Sequence, residues 1–94
     1  MIREFGARHP QARNALDHWY QIVRKTEWLG TADIKRDFGN SVDFVMNNRA
    51  VFDVKGNDYR LIAEINYRRQ AVFIRFIGTH AEYSKINADT VKIH

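Results

Sequence analysis

The stretch from Ala50 to Ile77 constrains the fold most. Three runs rich in β-branched and aromatic residues, Ala50–Lys55, Tyr59–Tyr67 and Ala71–Ile77, are separated only by the turn signals Lys55-Gly56-Asn57-Asp58 and Arg68-Arg69-Gln70. Connections that short join antiparallel neighbours, because a parallel pair needs a crossover of roughly a dozen residues or more. The stretch therefore predicts an antiparallel meander. Its third run is apolar on both faces except for Arg75, the pattern of a strand in the middle of a sheet. Farther on, Val91 and Ile93 predict a short edge strand within Asn87 to His94.

Before the meander the apolar period changes from two to that of a helix. Ile2 and Phe5 are spaced like one face of a helical turn. Pro10 then fits a helix start, since a first-turn proline sacrifices no hydrogen bond. From there Ala12, Ala15, Leu16, Trp19, Ile22 and Val23 predict a helix to about Thr26. Trp19 and Trp28 are assigned to packing, the usual role of an aromatic at this spacing. Gly30 breaks the pattern. Thr31-Ala32-Asp33 reads as an N-cap and first turn, and Gly39 closes a second, short helix that carries Ile34 and Phe38 on one face. Asn40 to Asn48 is a connector, with a turn at Asn47-Asn48 because asparagine tolerates left-handed backbone. The order is helix, helix, meander, and the fold class is α+β.

Length and composition support one domain. Ninety-four residues bury one modest core, and 45% apolar with 13% aromatic residues is a globular composition. There is no cysteine for a disulfide or a thiolate metal site. No apolar run approaches the roughly 20 residues of a membrane span, and the N-terminus lacks a secretory apolar core. A soluble, cytoplasmic protein is expected. The +4 charge leans toward polyanions or an acidic partner.

Two arginines stand where a structural sheet needs apolar residues. Alternation puts Arg60 on the more polar face of its strand, with Ile62, Glu64 and Asn66, opposite Tyr59, Leu61, Ala63, Ile65 and Tyr67. Arg75 is read on one face with Phe73 and Ile77. An arginine there must be paired, for instance to Glu64 or Glu82, or must open onto a cleft, because a lone buried charge is too costly. His80 and Tyr83 follow the last strand and line one mouth of the sheet; histidine titrates where proton transfer near neutrality is useful. No His/Asp cluster has metal-ligand spacing, and no cofactor motif is present. RNA carries its own nucleophile, the 2′-hydroxyl, so its cleavage needs alignment, cationic stabilisation and proton shuttling rather than a metal. The same residues could instead grip phosphates and stack on bases without catalysis.

Between Asn47 and Ile86 three runs carry a resemblance. They are Asn48-Arg49-Ala50-Val51-Phe52-Asp53-Val54-Lys55-Gly56-Asn57-Asp58-Tyr59-Arg60-Leu61, then Ile65-Asn66-Tyr67, then Phe73-Ile74-Arg75-Phe76-Ile77-Gly78-Thr79-His80-Ala81-Glu82-Tyr83. Together they resemble HigB-type toxins of type II toxin–antitoxin systems, in the RelE superfamily. Arg8-His9-Pro10, Trp19-Tyr20 and Ala32-Asp33-Ile34-Lys35 extend the likeness over nearly the whole chain. The resemblance implies a RelE-like α+β domain spanning residues 1–94, with two N-terminal helices on a three- to four-stranded antiparallel sheet. It implies a ribosome-dependent mRNA endoribonuclease that inhibits translation and needs no metal or cofactor. Its partners would be the ribosome, mRNA and a helix-turn-helix, HigA-like antitoxin. Arg60 and Arg75 match the family's sheet arginines, expected to hold and stabilise the scissile phosphate. His80 and Tyr83 match its Thr-His-x-Glu-Tyr segment, expected to transfer protons and orient the nucleotide. Lys55, Asn57, Arg68 and Lys85 are the expected RNA-binding residues.

One departure bears on the fold. Family members usually open with a β-strand of the pattern Met-x-Val-Ile-Ser before the match to Ile2-Arg3-Glu4-Phe5. The resemblance therefore implies that this strand is missing and that an exposed edge invites partner pairing or a dimer. Two other readings stay open at this point: a catalytically weak module of the same fold that binds RNA or antitoxin, and a structural domain whose arginines are salt-bridged.

Overall fold

The computed structural model describes residues 2–92. Its elements are α1 (Ile2–Arg8), a 3-10 turn (Pro10–Ala12), α2 (Arg13–Lys25), α3 (Thr31–Phe38), a second 3-10 turn (Gly39–Ser41), then β1 (Val42–Val45), β2 (Arg49–Val54), β3 (Tyr59–Asn66), β4 (Ala71–Thr79) and α4 (His80–Tyr83). The strands form one antiparallel sheet in the order β1-β2-β3-β4. The expected α+β class, helices and meander are all present.

Tight turns set the register. Asn47 and Asn48 take φ of 64° and 59°, and Lys55 and Gly56 take 53° and 63°. Two successive left-handed residues match the right-handed twist of the strands they join, which is why asparagine and glycine occupy these corners. The register that results puts Arg49 opposite Glu64 and Asp53 opposite Arg60.

Several expectations need correction. Residues 42–45 are not connector but strand β1: the Asn47-Asn48 corner turns the chain back, and Val42 buries its side chain in the core. The third run of the meander, β4, is an edge strand and not the middle of the sheet. It is apolar on both faces because helices cover one side and the C-terminal segment covers part of the other. Residues 87–92 form no strand, and Ile93 lies outside the described residues. Instead this segment crosses the outer face, tied down by Asp89, which accepts from the Met46 N–H at 2.8 Å. Gly30 and not Thr31 is the N-cap of α3, while the Asp33 carboxylate reaches back to the Leu29 N–H at 2.8 Å. The segment Ile2–Arg8 forms an additional complete helix, with Phe5 buried against the core.

The main core lies between the helices and the sheet. Leu16, Trp19, Trp28 and Ile34 meet Phe52, Leu61, Ala63 and Ile65 there. Both tryptophans are buried as expected, and the Trp28 indole N–H donates to Asp37 Oδ2 at 2.9 Å. A smaller cluster on the outer face joins Val51, Ile62 and Phe76 under Tyr83, Ile86, Ala88 and Val91.

A β-bulge divides β4. Ile62 faces Phe76 but Ala63 faces Ile74, so Arg75 is the extra residue. The bulge turns the strand over. Phe76 joins the outer cluster and Ile77 the helix-side core. Arg75 therefore shares the outer face with Phe73 but not with Ile77, a correction to strict alternation.

Candidate active site

One end of the outer face, beside the β2–β3 turn, gathers most of the predicted residues. Arg60 is nearly buried there and uses all three guanidinium nitrogens. Its Nε lies 3.2 Å from Asp53 Oδ1, one terminal nitrogen donates to the Tyr59 carbonyl at 3.2 Å, and the other donates to Asn57 Oδ1 at 3.0 Å. The guanidinium carbon also stands 5.8 Å from the centre of the Tyr83 ring. On its other flank Arg60 pairs with Gly78. That position cannot carry a side chain: an added Cβ would meet the Phe76 ring, with Cε2 at 2.9 Å.

Tyr83 reaches this place through a local sequence device. Thr79 and Glu82 form a reciprocal capping box, in which Thr79 Oγ1 accepts from the Glu82 N–H at 3.2 Å and Glu82 Oε1 accepts from the Thr79 N–H at 2.8 Å. The His80 N–H donates to the Asp58 carbonyl at 3.0 Å, which fastens α4 to the β2–β3 turn. Within Thr-His-x-Glu-Tyr, then, threonine and glutamate hold the helix, and histidine and tyrosine are left to act. The His80 side chain is exposed, while Tyr83 is half-buried against Phe76 and Arg60.

The other candidates divide by position. Lys55 is exposed in the same turn, 3.9 Å from Asp58, and Lys85 is exposed just after α4. Arg75 stands farther along the face. Its Nε donates to Glu64 Oε1 at 3.2 Å, and its guanidinium lies 5.3 Å from the Phe73 ring centre. Glu64 is four residues from Arg60, about 13 Å along an extended strand. With Arg60 turned to Asp53 and Asn57, and Arg75 to Glu64, the two do not converge on one phosphate. Among the described residues only the Nε of Arg75 is hydrogen-bonded, so its terminal nitrogens are free for a ligand. Arg68 is exposed in the β3–β4 turn, at the opposite end of the sheet from Lys55.

Two residues join the site that the sequence reading does not single out, Asp53 and Arg49, beside Glu64, the expected partner of Arg75. Asp53 fixes Arg60. Glu64 is shared, its Oε1 also lying 3.4 Å from Arg49. Arg49 is buried and donates to the carbonyls of Ala88 at 3.1 Å and Val91 at 2.7 Å, so it anchors the C-terminal segment. Two guanidiniums against one carboxylate leave local positive charge beside Arg75. The described residues hold no group of three His, Asp or Glu side chains that could bind a metal, and no helix long and apolar enough to cross a membrane.

The arrangement can hold anionic groups and move protons: cations flank a tyrosine and an exposed imidazole at one mouth. Known proteins resemble the chain over most of its length. The family model described as HigB toxin, the RelE-like toxic component of a toxin-antitoxin system, matches residues 12–86. A protein of Escherichia coli O6:H1 (strain CFT073), named mRNA interferase HigB, is 32% identical over 86 residues, covering 90% of this chain and 84% of its own. The mRNA interferase toxin HigB of Escherichia coli K12 is 25% identical over 88 residues, covering 93% of this chain and 85% of its own. The mRNA interferase HigB of Shigella flexneri matches to the same extent. By this match the chain belongs to the HigB toxin family, the RelE-like toxic components of toxin-antitoxin systems, whose counterpart is an antitoxin.

Proposed function

We propose that this toxin is an mRNA interferase that cleaves ribosome-bound mRNA in the cytoplasm, without a metal, and is neutralised by a HigA-like helix-turn-helix antitoxin. One observation carries the site assignment: Arg60 joins Asp53, Asn57 and Tyr83 at the turn that also pins His80. Relatives named mRNA interferases support the reaction.

In this reading the 2′-oxygen of the RNA attacks phosphorus and the bond from phosphorus to the 5′-oxygen breaks. A proton leaves the 2′-hydroxyl and another reaches the 5′-oxygen. His80 and Tyr83 are the groups within the cluster that can exchange them. Arg60 organises: its nitrogens are committed to protein partners, and it holds Asn57 and Tyr83 in place. Its charge, close to the mouth, also favours the negative charge that builds on phosphorus. Arg75, with free terminal nitrogens, holds a neighbouring phosphate. Lys55 and Lys85 add positive charge at the rim, while Arg68 meets RNA or ribosome only at a distance from the reaction.

A second reading has an observation in its favour. Both sheet arginines meet carboxylates, as in a structural domain or a catalytically weak module that binds RNA or antitoxin. Expression in cells separates the two. The interferase arrests growth and truncates mRNA in translating cells. A folded chain that leaves growth and mRNA intact supports the binding module instead.

A further inference from the structure

The outer face of the sheet continues past Arg75 toward the β3–β4 turn, and the cluster at the mouth does not use that part of it. Phe73 stands there, a large ring left 47% exposed. It pairs across the sheet with Glu64, so both project from the outer face. Arg75 takes the next place on this face toward the mouth, its guanidinium carbon 5.3 Å from the ring centre. Glu64 accepts from the Arg75 Nε, and the buried Arg49 holds Glu64 in turn. The cation is therefore fixed against the ring while its terminal nitrogens stay free. On the other side of the ring the next outer-face residue is Ala71, which is too small to cover it. Beyond it lie Arg68 and Arg69, exposed in a turn that Asn66 ties down by accepting from the Arg69 N–H at 3.1 Å. Neither of these arginines makes an ion pair among the described residues.

We propose that Phe73 is a stacking platform for one base of the bound mRNA, several nucleotides from the scissile bond. The inference rests on the reading of this face as the one that carries mRNA. The side of the ring toward Ala71 is open, and every base has a π-face to lay on it. Arg75 then holds the phosphate beside that base, and Arg68 and Arg69 meet the backbone beyond. Glu64 lies about 13 Å from Arg60 along β3, which is about four nucleotides at a stacked spacing of about 3.4 Å. The C-terminal segment, laid over Val51, Ile62 and Phe76, forms one wall of this track. The platform needs no free edge on β4. Phe73 projects across the outer face, and a strand paired to β4 would add a second wall. A protein partner fits less well: Arg68, Arg69 and Arg75 surround the ring, and Glu64 is already shared with Arg49. Unbalanced positive charge of that kind suits a polyanion. Stacking tolerates any base, so the platform supplies affinity and sets the register of the mRNA rather than reading its sequence.

The test uses the full chain with ribosomes programmed with a defined mRNA that is 2′-deoxy across the codon being decoded. Such a complex forms but lacks the attacking 2′-oxygen, so nothing is cut. Photoreactive thiouridine is placed at one position after another, and adducts are mapped by tryptic digestion. The expected result is an adduct on the peptide Gln70–Arg75 from one mRNA position, lost in Phe73→Ala and retained in Phe73→Tyr. No adduct on that peptide, or one that survives Phe73→Ala, overturns the proposal. Independently, on all-ribose mRNA, Phe73→Ala should raise KM about tenfold with kcat little changed, the loss of one base stack. Ala71→Leu leaves the ring and fills the space beside it, and should raise KM in the same way. Phe73→Tyr should restore the parental KM, and Leu29→Ala, at an exposed position away from this face, should keep it. An unchanged KM in either Phe73→Ala or Ala71→Leu, with the parental circular dichroism spectrum, contradicts the platform. Crosslinking is read without cleavage, so an adduct on Gln70–Arg75 from a chain that leaves all-ribose mRNA whole rejects the nuclease reading and retains this one. Cutting of all-ribose mRNA with adducts only at the mouth does the reverse.

Discussion

Arg60→Lys is the substitution that separates an organising arginine from a mere positive charge. Arginine here serves three acceptors at once, Asp53, Asn57 and the Tyr59 carbonyl, and stacks by Tyr83. A lysine ammonium keeps the charge but lacks the planar fork, and from this backbone it reaches one acceptor. Two hydrogen bonds from a charged donor are lost, worth about 1.5 kcal/mol each. Asp53 is partly exposed and regains water, so its share is discounted. The net destabilisation expected is about 2 kcal/mol, a drop in midpoint that a urea titration resolves. Activity should fall further than stability, because Asn57 and Tyr83 lose their common support. On ribosomes programmed with a defined mRNA, the cleavage rate of the folded variant should fall about 10²-fold. An Arg60→Lys variant that cleaves at the parental rate refutes the organising role, since charge alone would then suffice.

The same geometry sets three further expectations. Arg75→Ala should raise KM for ribosome-bound mRNA and change kcat little, because a contact to a neighbouring phosphate is the same in ground and transition states; Arg49 continues to pair Glu64, so thermal unfolding should shift little. Arg49→Met should cost about 2–3 kcal/mol in urea denaturation, because the Ala88 and Val91 carbonyls lose their charged donor, and proteolysis should open the chain first after Tyr83. Asp37 is held below its ordinary value of 3.8, chiefly by the Trp28 indole hydrogen bond and then by Arg36. A lowered folded pKa means the folded state favours the carboxylate, so this stability is present above pH 3.8 and is lost as pH falls through the lowered value. Asp37→Asn should flatten that part of an acid-unfolding curve followed by tryptophan fluorescence.

Much of the fold is legible because its signals are local. The Asn47-Asn48 and Lys55-Gly56 corners, the helical period from Ala12 to Val23 and the alternation through β3 each depend on a few neighbours. What escapes a sequence reading depends on distant packing. The place of β4 at the edge does not show in its apolar composition, since the C-terminal segment supplies cover that a neighbouring strand would otherwise provide. The bulge at Arg75 breaks alternation at a point that only the partner strand reveals. At the site, the closeness of Lys55, Asn57 and Arg60 follows from one hairpin corner, but the separate carboxylate partners of Arg60 and Arg75 depend on register. Two signals of that register and of α4 do lie in the residues. Thr79-x-x-Glu82 is a capping box pattern. The four-residue β2–β3 turn also puts Asp53 opposite Arg60 and Arg49 opposite Glu64 as charge pairs.

Cleavage of mRNA in a reconstituted translation reaction, read by sequencing the new ends, puts the proposed active site to trial with the parental chain, His80→Ala and Tyr83→Phe side by side. The expected result is cuts in mRNA carried by ribosomes, none in free mRNA, and loss of cutting in both variants while their melting temperatures stay close to the parent. A folded parental chain that leaves ribosome-bound mRNA whole, or variants that cut as fast as the parent, would contradict the assignment of His80 and Tyr83 to the reaction.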